Sequence, residues 1–99
     1  MPPEQITLIA RVKAKQGLEE TLKNELIALL EPTGKEAGCI TYNLHQNSED
    51  KSLFMFYENW TSQQALDDHL QRPHLTAFLA KADALLDGPL DLTAWQMLE

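Results

Sequence analysis

The segment Leu53-Phe54-Met55-Phe56-Tyr57-Glu58-Asn59-Trp60 decides the fold. Successive side chains of an extended strand point to opposite faces. Leu53, Met55 and Tyr57 therefore share one face, and Phe54, Phe56 and Trp60 share the other, with Glu58 among them. A strand that is apolar on both parities is expected to be buried on both faces. The stretch Leu90 to Leu98 reads the same way, with Leu90, Leu92, Ala94 and Leu98 on one side and Trp95 and Met97 on the other.

The rest of the chain is organised around these two segments. Upstream, Cys39 to His45 reads as a strand, joined to the first segment by the polar loop Gln46-Asn47-Ser48-Glu49-Asp50-Lys51-Ser52. Ile6, Leu8, Ala10, Val12 and Ala14 alternate with Thr7, Ile9, Arg11 and Lys13, which predicts an opening strand that Gly17 ends. Leu22, Leu26, Leu29 and Leu30 then recur at helical spacing from Leu18 onward, until Pro32 and Gly34 disturb the pattern. Thr61 and Gln64 form a capping-box pattern that opens a short helix carrying Leu66, His69 and Leu70 on one face. Pro73 breaks that helix and starts the next, whose stripe is Leu75, Phe78, Leu79, Ala82, Leu85 and Leu86. Gly88-Pro89 is a stop signal. The predicted order is βαββαβ with the second helix in two pieces. This is a ferredoxin-like α+β arrangement, an antiparallel sheet with its helices on one face.

At 99 residues and 11.2 kDa, the chain fits one domain spanning residues 1–99. Two helices cover only one side of such a sheet, and an exposed apolar face of this size is rare in a monomer. A second copy of the same sheet is the simplest cover, so a homodimer is expected.

Charge and cysteine content narrow the function. Eight Lys and Arg against fifteen Asp and Glu give a net charge of −7, and the cations are scattered. That balance argues against nucleic acid and anionic membrane surfaces as partners. The single Cys39 rules out an internal disulfide and a cysteine-rich metal site. Met1-Pro2-Pro3-Glu4-Gln5 lacks a signal-peptide pattern, and no apolar run approaches the ~20 residues of a membrane span, so a cytoplasmic protein is expected.

Glu36-Ala37-Gly38-Cys39, Tyr57-Glu58-Asn59-Trp60-Thr61-Ser62, Ala65-Leu66-Asp67-Asp68-His69-Leu70 and Arg72-Pro73-His74-Leu75 occur in an order and at spacings that resemble the antibiotic biosynthesis monooxygenase family, in particular its small quinol monooxygenase-like members. The resemblance covers nearly the whole chain. It implies a dimeric α+β barrel and an oxidoreductase that oxidises a quinol or phenol with O₂, using neither metal nor flavin. The same fold also serves haem-degrading enzymes, isomerases of small phosphorylated sugars and members without assigned chemistry. The haem pattern is not matched. Its ligating His would fall near Leu79, its Trp at His69 and its Asn near Arg11.

Against that background His69 is the leading candidate base, because it sits on an apolar helix face and imidazole titrates near neutrality. Its structural alternative is a buried histidine bonded to a backbone carbonyl. Glu58 is the second catalytic candidate, since a carboxylate on an apolar strand face must be paired or protonated. It could pair with Arg11, orient a histidine or bond backbone amides. Trp60, His74, Tyr42, Asn59 and Arg11 are the candidate substrate-binding residues, each with a structural role as the alternative. His45 reads as solvated surface and Cys39 as a small buried hydrophobe. His69 and His74 lie five apart across a proline and do not form a ligand pair on one helical face, so no metal is expected. The four glycines build no nucleotide-binding loop. A non-redox isomerase and a non-catalytic dimeric binding protein are the competing functions.

Overall fold

The computed structural model describes residues 4–99; Met1, Pro2 and Pro3, part of the N-terminal reading above, lie outside it. Four strands and four helices run in the order β1 (Ile6–Lys13), α1 (Glu19–Ile27), α2 (Leu30–Gly34), β2 (Cys39–Gln46), β3 (Leu53–Trp60), α3 (Gln63–His69), α4 (Pro73–Leu85) and β4 (Asp91–Trp95). The strands form one antiparallel sheet in the order β2-β3-β1-β4, with the helices on one face. This is the expected ferredoxin-like α+β fold.

Register explains the core. β1 and β3 pair so that Leu8 faces Glu58, Ala10 faces Phe56 and Val12 faces Phe54. These residues all lie on the helix side, where Ala10, Val12, Phe54 and Phe56 pack with Leu22, Leu26, Leu29, Leu75, Phe78 and Leu85, and Leu8 packs with Trp60 and Leu66. Leu22 and Leu26 are fully buried, as the α1 stripe predicts. Gly17 and Gly88 adopt positive φ at the turns into α1 and towards β4, where a side chain would be strained.

Three local expectations are corrected. The first helix divides, because Pro32 falls in the first turn of α2 and has no N–H with which to continue α1. The cap of α3 is Ser62 rather than Thr61: the Ser62 hydroxyl accepts from the Ala65 amide at 3.1 Å. The last strand stops at Trp95 and is exposed along its whole length. Trp95 is 56% exposed, and β3 leaves Tyr57 exposed on the open side, so one chain does not cover both faces of these strands.

The chain passes from β3 into α3 with only Thr61 and Ser62 between them. This tight reversal lays α3 against the start of β2, where Gly38 meets Ala65. A Cβ on Gly38 would overlap the Ala65 Cβ and crowd the Thr61 hydroxyl. Gly38→Ala is therefore expected to destabilise the protein by about 1–3 kcal/mol, read as a lower urea midpoint at unchanged m-value.

Candidate functional site

The helix side of the sheet and the inner faces of α1, α3 and α4 enclose an apolar cavity of about 90 Å³. A single water needs only ~10–15 Å³, so the space suits a small organic molecule. Tyr42, Phe56, Phe78 and several leucines line it, and Glu58 and His69 are the ionisable acid and base on its wall. Leu70, Leu79 and Leu92 line it too and are partly exposed, marking the side on which it opens.

β3 delivers Glu58 to this face because it shares parity with Phe54 and Phe56. The carboxylate is 3% exposed and accepts a 2.9 Å hydrogen bond from the Trp60 indole N–H two residues on. Burial pushes its pKa up to about 7, against the opposing effect of the indole bond, and the nearby Glu36 charge adds to the rise. At neutral pH Glu58 is thus partly protonated and can donate a proton.

His69 is the last residue of α3, and the short β3–α3 turn folds it back over the end of its own strand. Its ring lies 4.5 Å from the Trp60 ring and 5.5 Å, edge-on, from that of Tyr42. Burial depresses its pKa, partly opposed by a hydrogen bond to Glu36, so the imidazole is neutral near pH 7. Tyr42 stacks on Phe56 at 4.7 Å. Burial, together with the charge of Glu58, drives its hydroxyl well above the ordinary tyrosine range and keeps it a donor.

Glu36, in the loop before β2, is the residue sequence reasoning missed. Its Oε2 accepts from His69 Nδ1 at 2.8 Å and from His74 Nε2 at 2.9 Å, while Oε1 lies 3.6 Å from Arg72 Nε. The break at Pro73 is what lets two histidines five residues apart converge on one oxygen. These three groups place potential ligand atoms within 4.8 Å of one another. A zinc or ferrous ion can take such a donor set, a convergence of His69 and His74 that their five-residue spacing across Pro73 did not lead one to expect.

The other candidates sit elsewhere. Trp60 is fully buried behind His69 and Glu58 rather than on the cavity wall. His74 is turned to Glu36. Asn59 has the opposite parity and accepts from the Thr7 hydroxyl. Arg11 is exposed on the open face, paired in register with Met55 and Asp91, and so does not reach Glu58. Cys39 is half-buried, and burial raises its thiol pKa, consistent with a packing role. No helix among the described residues is long and apolar enough to cross a membrane.

The family model for antibiotic biosynthesis monooxygenase matches residues 5–81. The chain belongs to that family. It is 31% identical over 94 residues to Rv0793 of Mycobacterium tuberculosis, which carries a provisional monooxygenase name; the match covers 95% of this chain and 92% of that protein. An uncharacterised Synechocystis protein, sll1783, is 32% identical over 98 residues, covering 95% of this chain and 64% of the relative's length. In structure, the chain is similar to PA3566 of Pseudomonas aeruginosa, with TM-score 0.94, 35% identity, and coverage of 100% and 99% of the two chains.

The raised Glu58 pKa has a stability consequence with a definite sign. Its folded pKa of about 7 lies above the ordinary 4.5, so between these values the native state holds a proton that the unfolded chain has lost. Stability contributed by Glu58 is present below pH 4.5 and falls as pH rises through 7, by up to about 3 kcal/mol. His69 acts with the opposite sign near pH 6.5, so the comparison must be with a variant. Urea unfolding of Glu58→Gln between pH 5 and 8 should lack the decline that Glu58 imposes on the parent protein.

Proposed function

We propose that this protein is a cofactor-independent monooxygenase that oxidises a small quinol or phenolic aromatic with O₂. One observation carries the reading: a neutral, buried His69 and a partly protonated Glu58 share an apolar cavity of the size of a small ring compound. Burial raises the Glu58 carboxyl to about 7 and lowers the His69 imidazole below its ordinary 6.5, so near neutral pH the acid still holds a proton while the base is free to take one.

The chemistry needs little more from the protein. His69 accepts the proton of a substrate hydroxyl, and the resulting anion is electron-rich enough to reduce O₂. Bond formation between ring carbon and oxygen gives a peroxide anion, which Glu58 protonates. Loss of water, with removal of the hydrogen from that carbon, leaves a carbonyl. A quinol and O₂ thus become a hydroxyquinone and one water, and the substrate supplies all the electrons. Desolvation, orientation and the Tyr42 hydroxyl favour the developing anion. Among the other site candidates, Trp60 supports His69 and Glu58 from behind. His74 acts through Glu36, and Asn59 and Arg11 stay on the opposite face.

The homodimer belongs to the same proposal. Ile9, Met55, Tyr57 and Trp95 occupy the sheet face that no helix covers, and a second copy packed face to face removes them from water. Light scattering at micromolar concentration should give twice the 11.2 kDa chain mass; a clean monomer overturns the assembly.

The acid–base pair also suits a redox-neutral isomerase, and oxygen dependence separates the two. A screen of dihydroxyaromatics is expected to find O₂ uptake with no added cofactor and no product under anaerobic conditions. His69→Ala should lower turnover by roughly 10²–10⁴-fold with the fold intact by circular dichroism. Unchanged turnover removes His69 as the base, and anaerobic product formation favours the isomerase.

A further inference from the structure

We infer that Glu36 is a positioning residue for His69, fixing which ring nitrogen faces the cavity and stabilising the ring when it takes up a proton. The inference rests on the reading of His69 as the base. A neutral imidazole carries one N–H, and the nitrogen bearing it is set by the partner of that nitrogen. Here Nδ1 lies 2.8 Å from Glu36 Oε2, and the carboxylate can only accept, so the proton is on Nδ1. The free lone pair is then on Nε2, the nitrogen a cavity-bound hydroxyl needs.

Glu36 is itself held for this task. Its side chain is 6% exposed, His74 Nε2 donates to the same Oε2 at 2.9 Å, and the Arg72 guanidinium lies 3.6 Å from Oε1. Oε1 is buried and accepts no hydrogen bond, so the carboxylate's attachment runs almost wholly through the oxygen that meets His69. The two histidines come from either side of the α3–α4 break, which makes the break part of the site rather than an accident of Pro73. A carboxylate behind a catalytic histidine is worth large factors in rate where it sets the tautomer and offsets the imidazolium charge. The groups around His69 are Glu36 from the loop before β2, Tyr42 from β2, Glu58 from β3, and Arg72 and His74 from the start of α4. Glu36 is the anion in direct contact with the ring.

Two measurements test this. Nitrogen-15 NMR of the imidazoles in the substrate-free wild-type protein at pH 7–8 should show His69 protonated at Nδ1 with a bare Nε2. A ring protonated at Nε2 overturns the inference whatever the activity. In kinetics with a quinol that the parent oxidises, Glu36→Gln should lower kcat by about 10²-fold or more with KM within about twofold. The pH at which kcat rises should move downward, because an imidazole without its anionic partner loses its proton more readily. Glu36→Asp should recover part of the loss. Unchanged kcat and pH profile in Glu36→Gln overturns the positioning role, whereas full activity in His69→Ala overturns the base assignment instead. Turnover should be the same in excess EDTA. Loss of activity on chelation, restored by zinc alone, would make Glu36 a metal ligand and overturn the inference.

Discussion

Trp60 ties the molecule together. Its fully buried indole ends β3, donates to the Glu58 carboxylate at 2.9 Å and lies 4.5 Å from the His69 ring. The side chain is thus the joint between the sheet, the α3 helix and the ionisable pair. Because only Thr61 and Ser62 separate β3 from α3, packing His69 onto Trp60 also sets the angle at which the helix returns over the sheet. Two ionisable groups can be kept this deep only because each has a partner: Glu58 the indole, His69 the Glu36 carboxylate.

Most of the architecture was legible as parity and period. The alternation from Ile6 to Ala14 and the two-sided apolar strand from Leu53 to Trp60 locate the inner strands, because sheet burial repeats every two residues. The same parity placed Glu58 on the helix face, and it also separates Arg11 and Asn59 from that face, since both are odd-numbered partners of Met55 and Thr7. Glu36 was not legible. It stands in an irregular loop with no periodicity, and its role arises only when α3 and α4 bring histidines five residues apart to one oxygen. β4 was overextended for a different reason: the alternation runs from Leu90 to Leu98, but strand pairing with β1 ends at Trp95, and alternation alone does not mark where pairing stops.

On the proposed reading, the site obtains acid–base chemistry from a short chain without adding residues. Burial raises Glu58 and lowers His69, and the same burial that costs stability brings both groups into range at neutral pH. The family match over residues 5–81 takes in Glu36, Glu58, His69 and His74, while β4 and the cavity-lining Leu90 and Leu92 lie beyond it.

The claim that the cavity inserts one atom of O₂ into an aromatic substrate is open to direct measurement by isotope labelling. Under ¹⁸O₂, with a quinol the protein oxidises, the account predicts one labelled atom in the product, the other in water, and one O₂ consumed per product. Unlabelled product, or hydrogen peroxide as the reduced species, would contradict it.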